Sequence, residues 1–193
     1  MLINSDFEVA EPVEKVWSFF DDIPHVAACL PGAELTDDLG DDKYQGRVAI
    51  RMGPVRLQFH GTAEITERDQ AAKRIVVHAS GADEKGRGQA SLVVTATLTR
   101  AGRGTKVGVA QDLQLSGAAA QYGRGMISDV TSVLMGDFST NMASRIAAIE
   151  HGESPAQLAA AREASGLAIG LRAARMALTR VFRRFFVPYQ APN

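Results

Sequence analysis

The strongest constraint on the fold is a change of hydrophobic period near residue 121. Upstream of it, apolar and polar residues alternate from Leu2 to Val9 and in six further runs centred on Leu35, Ile50, Leu57, Val77, Val94 and Val109. A period of two marks half-buried strands. Turn-forming clusters separate the runs: Asp37-Asp38-Leu39-Gly40-Asp41-Asp42, Gly53-Pro54, Asp69-Gln70, Glu84-Lys85-Gly86 and Ala101-Gly102-Arg103-Gly104. Downstream, Tyr122, Met126, Val130, Val133, Leu134, Phe138, Met142, Ile146 and Ile149 form one stripe of a helix of roughly seven turns, which Gly152 can stop.

Between the first strand and the other six lie two short helical stretches. Pro12 suits a first helical turn ahead of Val13, Val16, Trp17 and Phe20; Pro24 and Pro31-Gly32 bracket Val26, Ala27 and Leu30. The order is therefore strand, two short helices, six strands and one long helix. This predicts an α+β fold in which a seven-stranded antiparallel sheet with one apolar face is covered by the long C-terminal helix. The expected organisation is a domain over residues 1–150, a linker over 151–165 and a further helix over 166–187.

Cys29 is the sole cysteine, so no internal disulfide can form and a reducing compartment is expected. Met1 to Asp6 lacks the basic-then-apolar pattern of a secretory leader, and no apolar run approaches the roughly 18 residues of a membrane span. The chain is expected to be cytoplasmic. His25, His60, His78 and His151 show no metal-ligand spacing, and no metal site is expected. His60 alternates with Arg56, Gln58, Thr62 and Glu64, the pattern of a solvated sheet face. His25 lies beside Asp22, where a capping role outweighs a gating one. Cys29, in an apolar helix without a nearby cation, reads as a small buried hydrophobe. Gly81, Gly86 and Gly88 read as a turn, and the acid pairs Asp21-Asp22, Asp37-Asp38 and Asp41-Asp42 as turns or helix ends. No nucleophile motif or phosphate loop is present, so no catalytic residue is assigned.

Several segments, in order, carry a family resemblance. They are Ala27-Ala28-Cys29-Leu30-Pro31-Gly32-Ala33-Glu34, Asp41-Asp42-Lys43-Tyr44-Gln45-Gly46, Met52-Gly53-Pro54-Val55, Phe59-His60-Gly61-Thr62-Ala63-Glu64-Ile65 and Gln121-Tyr122-Gly123. Over residues 1–150 the chain resembles the CoxG family, named for a component of carbon monoxide dehydrogenase. The resemblance implies the START-like (SRPBCC) helix-grip fold, with an internal apolar cavity between sheet and long helix. It also implies a non-catalytic accessory partner of a molybdenum hydroxylase, carbon monoxide dehydrogenase or a relative, recruiting that enzyme to the cytoplasmic membrane.

Pattern alone fits a packed core as well as a slot; the resemblance favours the slot. Aromatic residues make up only 6% of the chain while Ala, Gly and Val abound, so inward side chains leave volume to spare. The candidate lining residues are Trp17, Phe20, Val26 and Leu30 from the short helices and Ile50, Met52, Leu57, Phe59, Val94, Val109 and Gln111 from the strands. Tyr122, Met126, Val130, Leu134 and Phe138 complete the set from the long helix and its approach. Gln111 and Tyr122 are the candidate hydrogen-bond donors to a ligand carbonyl, although rim or surface positions suit them equally. Such a slot suits a ligand that is mostly hydrocarbon with one or two polar atoms, an isoprenoid quinone such as menaquinone or another lipid. No covalent cofactor is expected. Two alternatives stand beside this carrier: a recruitment adaptor without a ligand, and a START-like cyclase or hydrolase.

The net charge of −1 hides a division. Residues 154–193 hold six Arg against Glu163, a net of +5, while the remainder is −6. Leu167, Leu171, Ala174, Leu178, Val181, Phe182 and Phe185 share one helical face, with Arg172, Arg180, Arg183 and Arg184 mostly opposite. A basic, Phe-containing amphipathic helix suits an anionic membrane surface. Leu171, Arg172, Leu178, Arg180, Phe182, Arg183, Arg184 and Phe185 are the candidate membrane contacts, giving a peripheral protein on the inner face of the cell membrane. Docking on a protein remains open. The acidic body disfavours nucleic acid, whose phosphates it repels.

Overall fold

The computed structural model describes residues 1–52 and 55–150, apart from the side chains of Met52, Val55 and Glu150. The linker, the amphipathic segment and its candidate membrane contacts Leu171, Arg172, Leu178, Arg180, Phe182, Arg183, Arg184 and Phe185 lie outside the described residues. Met1–Ile146 form one compact unit; beyond it the described residues are the last turn of the long helix.

Strand β1 (Leu2–Val9) leads into helices α1 (Val13–Phe20) and α2 (Ile23–Ala27). Strands β2 (Ala33–Gly40), β3 (Lys43–Met52), β4 (Val55–Asp69), β5 (Arg74–Asp83), β6 (Gln89–Ala101) and β7 (Gly104–Leu115) follow. A short 3-10 turn (Gly117–Gln121) precedes α3 (Arg124–Glu150). Seven strands form one antiparallel sheet in the order β1-β7-β6-β5-β4-β3-β2. Only the β1–β7 pairing is non-consecutive, and α1 and α2 span that connection. The β2–β3 turn holds Asp41 and Asp42 at φ of 50° and 57°. Two left-handed residues in a row match the twist of the flanking strands. Asp37 and Asp38, read from sequence as part of that turn, belong to the bulged end of β2.

Alternation decides what each strand buries. On β7, Val107 and Val109 are buried while Lys106 and Asp112 face solvent. The packed core lies where α1, α2 and the C-terminal half of α3 meet one end of the sheet: Val16, Cys29, Val107 and Met142 are fully buried there, with Trp17, Phe19, Phe20 and Ile146 around them. Asp22 caps α2 by accepting from the His25 backbone N–H at 3.1 Å. Asn141 on α3 donates to the Cys29 carbonyl at 2.9 Å, tying the end of the short-helix segment to the long helix.

The long helix starts later than the stripe from Tyr122 suggests. Tyr122 is extended and the helical bonding begins with Ile127 N–H donating to the Gly123 carbonyl at 3.2 Å. The inward line runs through Ile127, Val130, Leu134, Phe138, Met142 and Ile146, whereas Met126 and Val133 are 44% and 64% exposed. Consecutive helical residues point about 100° apart, so Met126 and Ile127 cannot both face the sheet. Ile127, absent from the expected stripe, takes the inner place.

Candidate ligand cavity

The other end of the sheet is not filled. A cavity of about 340 Å³ lies between the N-terminal half of α3 and the inner face of β2 to β7. That is far above the room one water needs and at the lower end of small-molecule pockets. Its walls are almost wholly apolar.

Strand register explains the volume. Gly46 on β3 pairs with Gly61 on β4, Gly61 with Gly81 on β5, and Gly81 with Ala90 on β6, so the smallest side chains stand in one row across four strands. The adjacent row places Ala63 opposite Ala79. All six border the cavity. In a filled core these inward positions would carry Val, Ile or Phe. Gly61 also permits close strand approach: a Cβ there would lie 1.8 Å from the Ser80 carbonyl oxygen. Gly81, read from sequence as part of a turn, is a strand residue within this row; only Gly86 and Gly88 belong to the turn.

Of the residues expected to line a slot, Leu30, Ile50, Leu57, Phe59, Val130 and Leu134 are on the cavity wall. Trp17, Phe20 and Val109 are instead buried in the packed core, with Val26, Val94 and Phe138 against it. Phe138 meets Phe7 edge-on, ring centroids 6.0 Å apart. The correction has one physical cause: alternation identifies the inward face of a strand but not which stretch of that face the helix covers closely. Tyr122 packs on the second apolar cluster, around Ile3, Leu57, Phe59 and Ile127. Met126 is turned to solvent, and the Met52 side chain is outside the described residues. The wall residues absent from the expected set are Ile127 and the Gly and Ala bed. Glycine recurring at inward positions of three successive runs was the available signal.

Polar groups are sparse at the wall. Arg47 and Glu34 form an ion pair at 2.7 Å, with side chains 48% and 56% exposed, so the cavity approaches solvent beside β2. Tyr44 stands nearby; burial first, then the Asp38 and Asp42 carboxylates, push its phenol above the ordinary value, so it stays protonated at neutral pH. At the β5–β6 turn, the Asp83 side chain is fully covered and accepts from the backbone N–H groups of Gln58, Lys85 and Arg87. Arg87 adds two guanidinium bonds of 2.8 Å. These donors, Arg87 foremost, hold the Asp83 carboxyl well below the usual carboxylate range.

Three buried side-chain atoms lack a hydrogen-bond partner among the described residues: Ser5 Oγ, His25 Nδ1 and Gln111 Nε2. His25 Nδ1 nevertheless lies 2.6 Å from an Asp22 carboxylate oxygen, an ion-pair distance, so it has a charged neighbour. The Cys29 thiol is buried against the His25 carbonyl at 3.2 Å. His60 is on the solvent face of the sheet, hydrogen-bonded to Glu84. Among the described residues no three metal-ligating side chains cluster, and no helix is long and apolar enough to cross a membrane.

A cavity gripped between a curved antiparallel sheet and a terminal helix has known counterparts. The family model for CoxG, the G-type component of carbon monoxide dehydrogenase, matches residues 6–147. The chain belongs to this family. Membership supports an accessory role beside a carbon monoxide dehydrogenase. Solved structures show the same helix-grip fold. A conserved protein from Geobacillus kaustophilus is 23% identical with a TM-score of 0.68, covering 76% of this chain and 95% of its own. The Zhui aromatase/cyclase from Streptomyces is 15% identical with a TM-score of 0.55, covering 77% and 94%. A Mycobacterium smegmatis protein is 18% identical with a TM-score of 0.53, covering 77% and 92%. At these identities the likeness is of fold alone. No curated protein sequence matches the chain.

Proposed function

We propose that this CoxG-family chain is a carrier and anchor. Its cavity takes an isoprenoid quinone such as menaquinone, or a similar lipid. Its body binds a cytoplasmic molybdenum hydroxylase of the carbon monoxide dehydrogenase type, and its basic C-terminal segment holds the pair at the inner face of the cell membrane. The observation that carries the reading is the apolar cavity of about 340 Å³ over a bed of Gly and Ala. Such a bed leaves room for a ligand where a merely structural core would hold larger side chains. The chemistry gives the carrier a purpose: a dehydrogenase in aqueous solution must pass electrons to a quinone dissolved in the bilayer, and a protein slot that shields the apolar molecule from water bridges the two.

The direct test is extraction and mass spectrometry of lipids copurifying with the full chain expressed in its own host. A stoichiometric quinone or prenyl lipid supports the reading; a protein that copurifies with none and takes up none from added menaquinone overturns it. Membrane recruitment is tested separately by cosedimentation with anionic vesicles. Replacing Arg180, Arg183 and Arg184 together with Glu should weaken binding and reduce its salt sensitivity. If the full chain ignores such vesicles and binds a purified hydroxylase through residues 166–187, the segment docks on protein instead.

A cyclase or hydrolase built on this fold would need an acid–base pair facing the ligand. The charged wall residues Glu34 and Arg47 are paired with each other near solvent. Turnover of a polyketide or ester analogue that disappears on replacing either would favour the enzyme.

A further inference from the structure

Gln111 is an anomaly in an otherwise apolar interior. It stands on the inward face of β7, is 7% exposed, and its Nε2 has no partner among the described residues. Ser5 Oγ, likewise without a partner there, is its diagonal neighbour: Ile3 pairs with Gln111 and Ser5 with Val109 across the β1–β7 register. Diagonal inward positions on adjacent strands lie about 7 Å apart, within reach of one bridging atom. A buried polar group without a hydrogen bond destabilises a fold, and two side by side on one sheet are seldom accidental. Leu, Val or Ile at position 111 would fill the same place without that penalty.

The surroundings say what this pair could serve. Along β7 the next inward residue is Leu113, and across the register Gln111 pairs with Val94 and Leu113 with Leu92. Leu92 and Leu113 are cavity wall. Gln111 thus stands one inward position behind the wall farthest from β2, at the seam between the packed core and the second apolar cluster. A change of side-chain torsion at Gln111 brings its amide to the cavity's inner end.

We propose that Gln111 and Ser5 together receive a carbonyl oxygen of the cavity's ligand, which lies with its polar end toward β7 and its hydrocarbon toward β2. The amide N–H and the hydroxyl supply two donors, matching the two lone pairs of a carbonyl acceptor. A purely hydrocarbon ligand leaves both unsatisfied and is discriminated against for that reason. This rests on the carrier reading above and adds to it the orientation and the chemical group recognised.

The test compares menadione with methylnaphthalene, which shares its carbon skeleton and lacks its oxygens, by equilibrium dialysis against the full-length chain. The quantity read is the ratio of the two Kd values and its change on substitution, so solubility differences cancel. Gln111→Leu should shift the ratio against menadione by about tenfold, the worth of one hydrogen bond to a buried donor. Ser5→Ala should shift it by less, and methylnaphthalene's own Kd should change by under about threefold in both. In the ligand-free protein Gln111→Leu should raise the urea midpoint, which also confirms folding. A ratio unchanged in both variants overturns the proposal while leaving the carrier reading intact, provided that Ala63→Phe abolishes methylnaphthalene binding. If the parent binds neither compound, the cavity reading fails and this proposal with it.

Discussion

One sheet and one helix enclose two unlike interiors. Toward α1, α2 and the C-terminal half of α3, large side chains interlock: Val16, Cys29, Val107 and Met142 are fully covered, and Trp17, Phe19 and Phe20 are nearly so. Toward the N-terminal half of α3, the same sheet presents Gly46, Gly61, Gly81, Ala63, Ala79 and Ala90 to a cavity of about 340 Å³. Backbone pairing continues through both. Side-chain volume alone separates a half that supplies stability from a half that keeps space available.

The largest expected effect contrasts the two directly. Met142→Ala removes a fully buried side chain from the packed half and should cost about 2–5 kcal/mol in urea unfolding. Leu134→Ala, on the cavity wall, enlarges an existing void and breaks fewer contacts; it should cost about 1–2 kcal/mol. Equal losses at the two positions would mean that the cavity closes in solution, and the comparison would fail.

Adding bulk reverses the order. Ala96 is 5% exposed within the packed core, so Ala96→Trp should overpack it and cost about 1–3 kcal/mol or more. Ala63 faces the cavity, so Ala63→Phe should leave stability within about 1 kcal/mol of the parent while abolishing uptake of an apolar ligand. Unfolding curves and equilibrium dialysis on the two variants measure both effects. A destabilised Ala63→Phe that still takes up ligand would place the binding site elsewhere.

How much of this contrast was legible in the sequence follows from what periodicity can encode. A period of two identifies strands and their inward faces, and the shift to helical spacing locates the cover, so the element order and the antiparallel sheet could be read residue by residue. Periodicity carries no information on distance across the interior. Trp17, Phe20, Val94 and Val109 do face inward, but they fall where the helices pack tightly. Met126 failed for a different reason: the stripe was phased from Tyr122, which precedes the helix. The cavity bed was legible only as a shortage of aromatics, because aligning Gly46 with Gly61 and Gly81 needs the strand register.

A narrower effect concerns the turn at the end of the cavity half. Hydrogen bonds from Arg87 and three backbone N–H groups hold Asp83 ionised well below the usual carboxylate range. A carboxyl whose pKa is lowered in the folded state contributes stability above its unfolded value, near about 4, and loses it as pH falls toward the folded value. Asp83→Asn should therefore weaken the fold at pH 7, with the gap to the parent closing progressively below about pH 4. Urea midpoints over that range measure it. A gap that is constant with pH would assign the loss to shape rather than charge.

The smallest expected effect tests how independent the two halves are. Arg68, on β4, bridges Asp21 at the end of α1 at 2.5 Å and Asp42 in the β2–β3 turn at 3.1 Å. It is an electrostatic tie from the short helices of the packed half to the strands beside the cavity. Its side chain is 29% exposed and the two acids are 49% and 48% exposed, so water and salt screen the pairs. Exposed ion pairs contribute about 0–1 kcal/mol. Arg68→Ala should accordingly lower stability by less than about 1 kcal/mol, with the difference vanishing near about 1 M salt. It should leave the Ala63→Phe and Met142→Ala effects additive with it, since neither residue shares a partner with Arg68. A loss above about 2 kcal/mol that survives high salt would show that the packed half holds the cavity half in shape through this contact. The two halves would then differ in packing density only, not in stability.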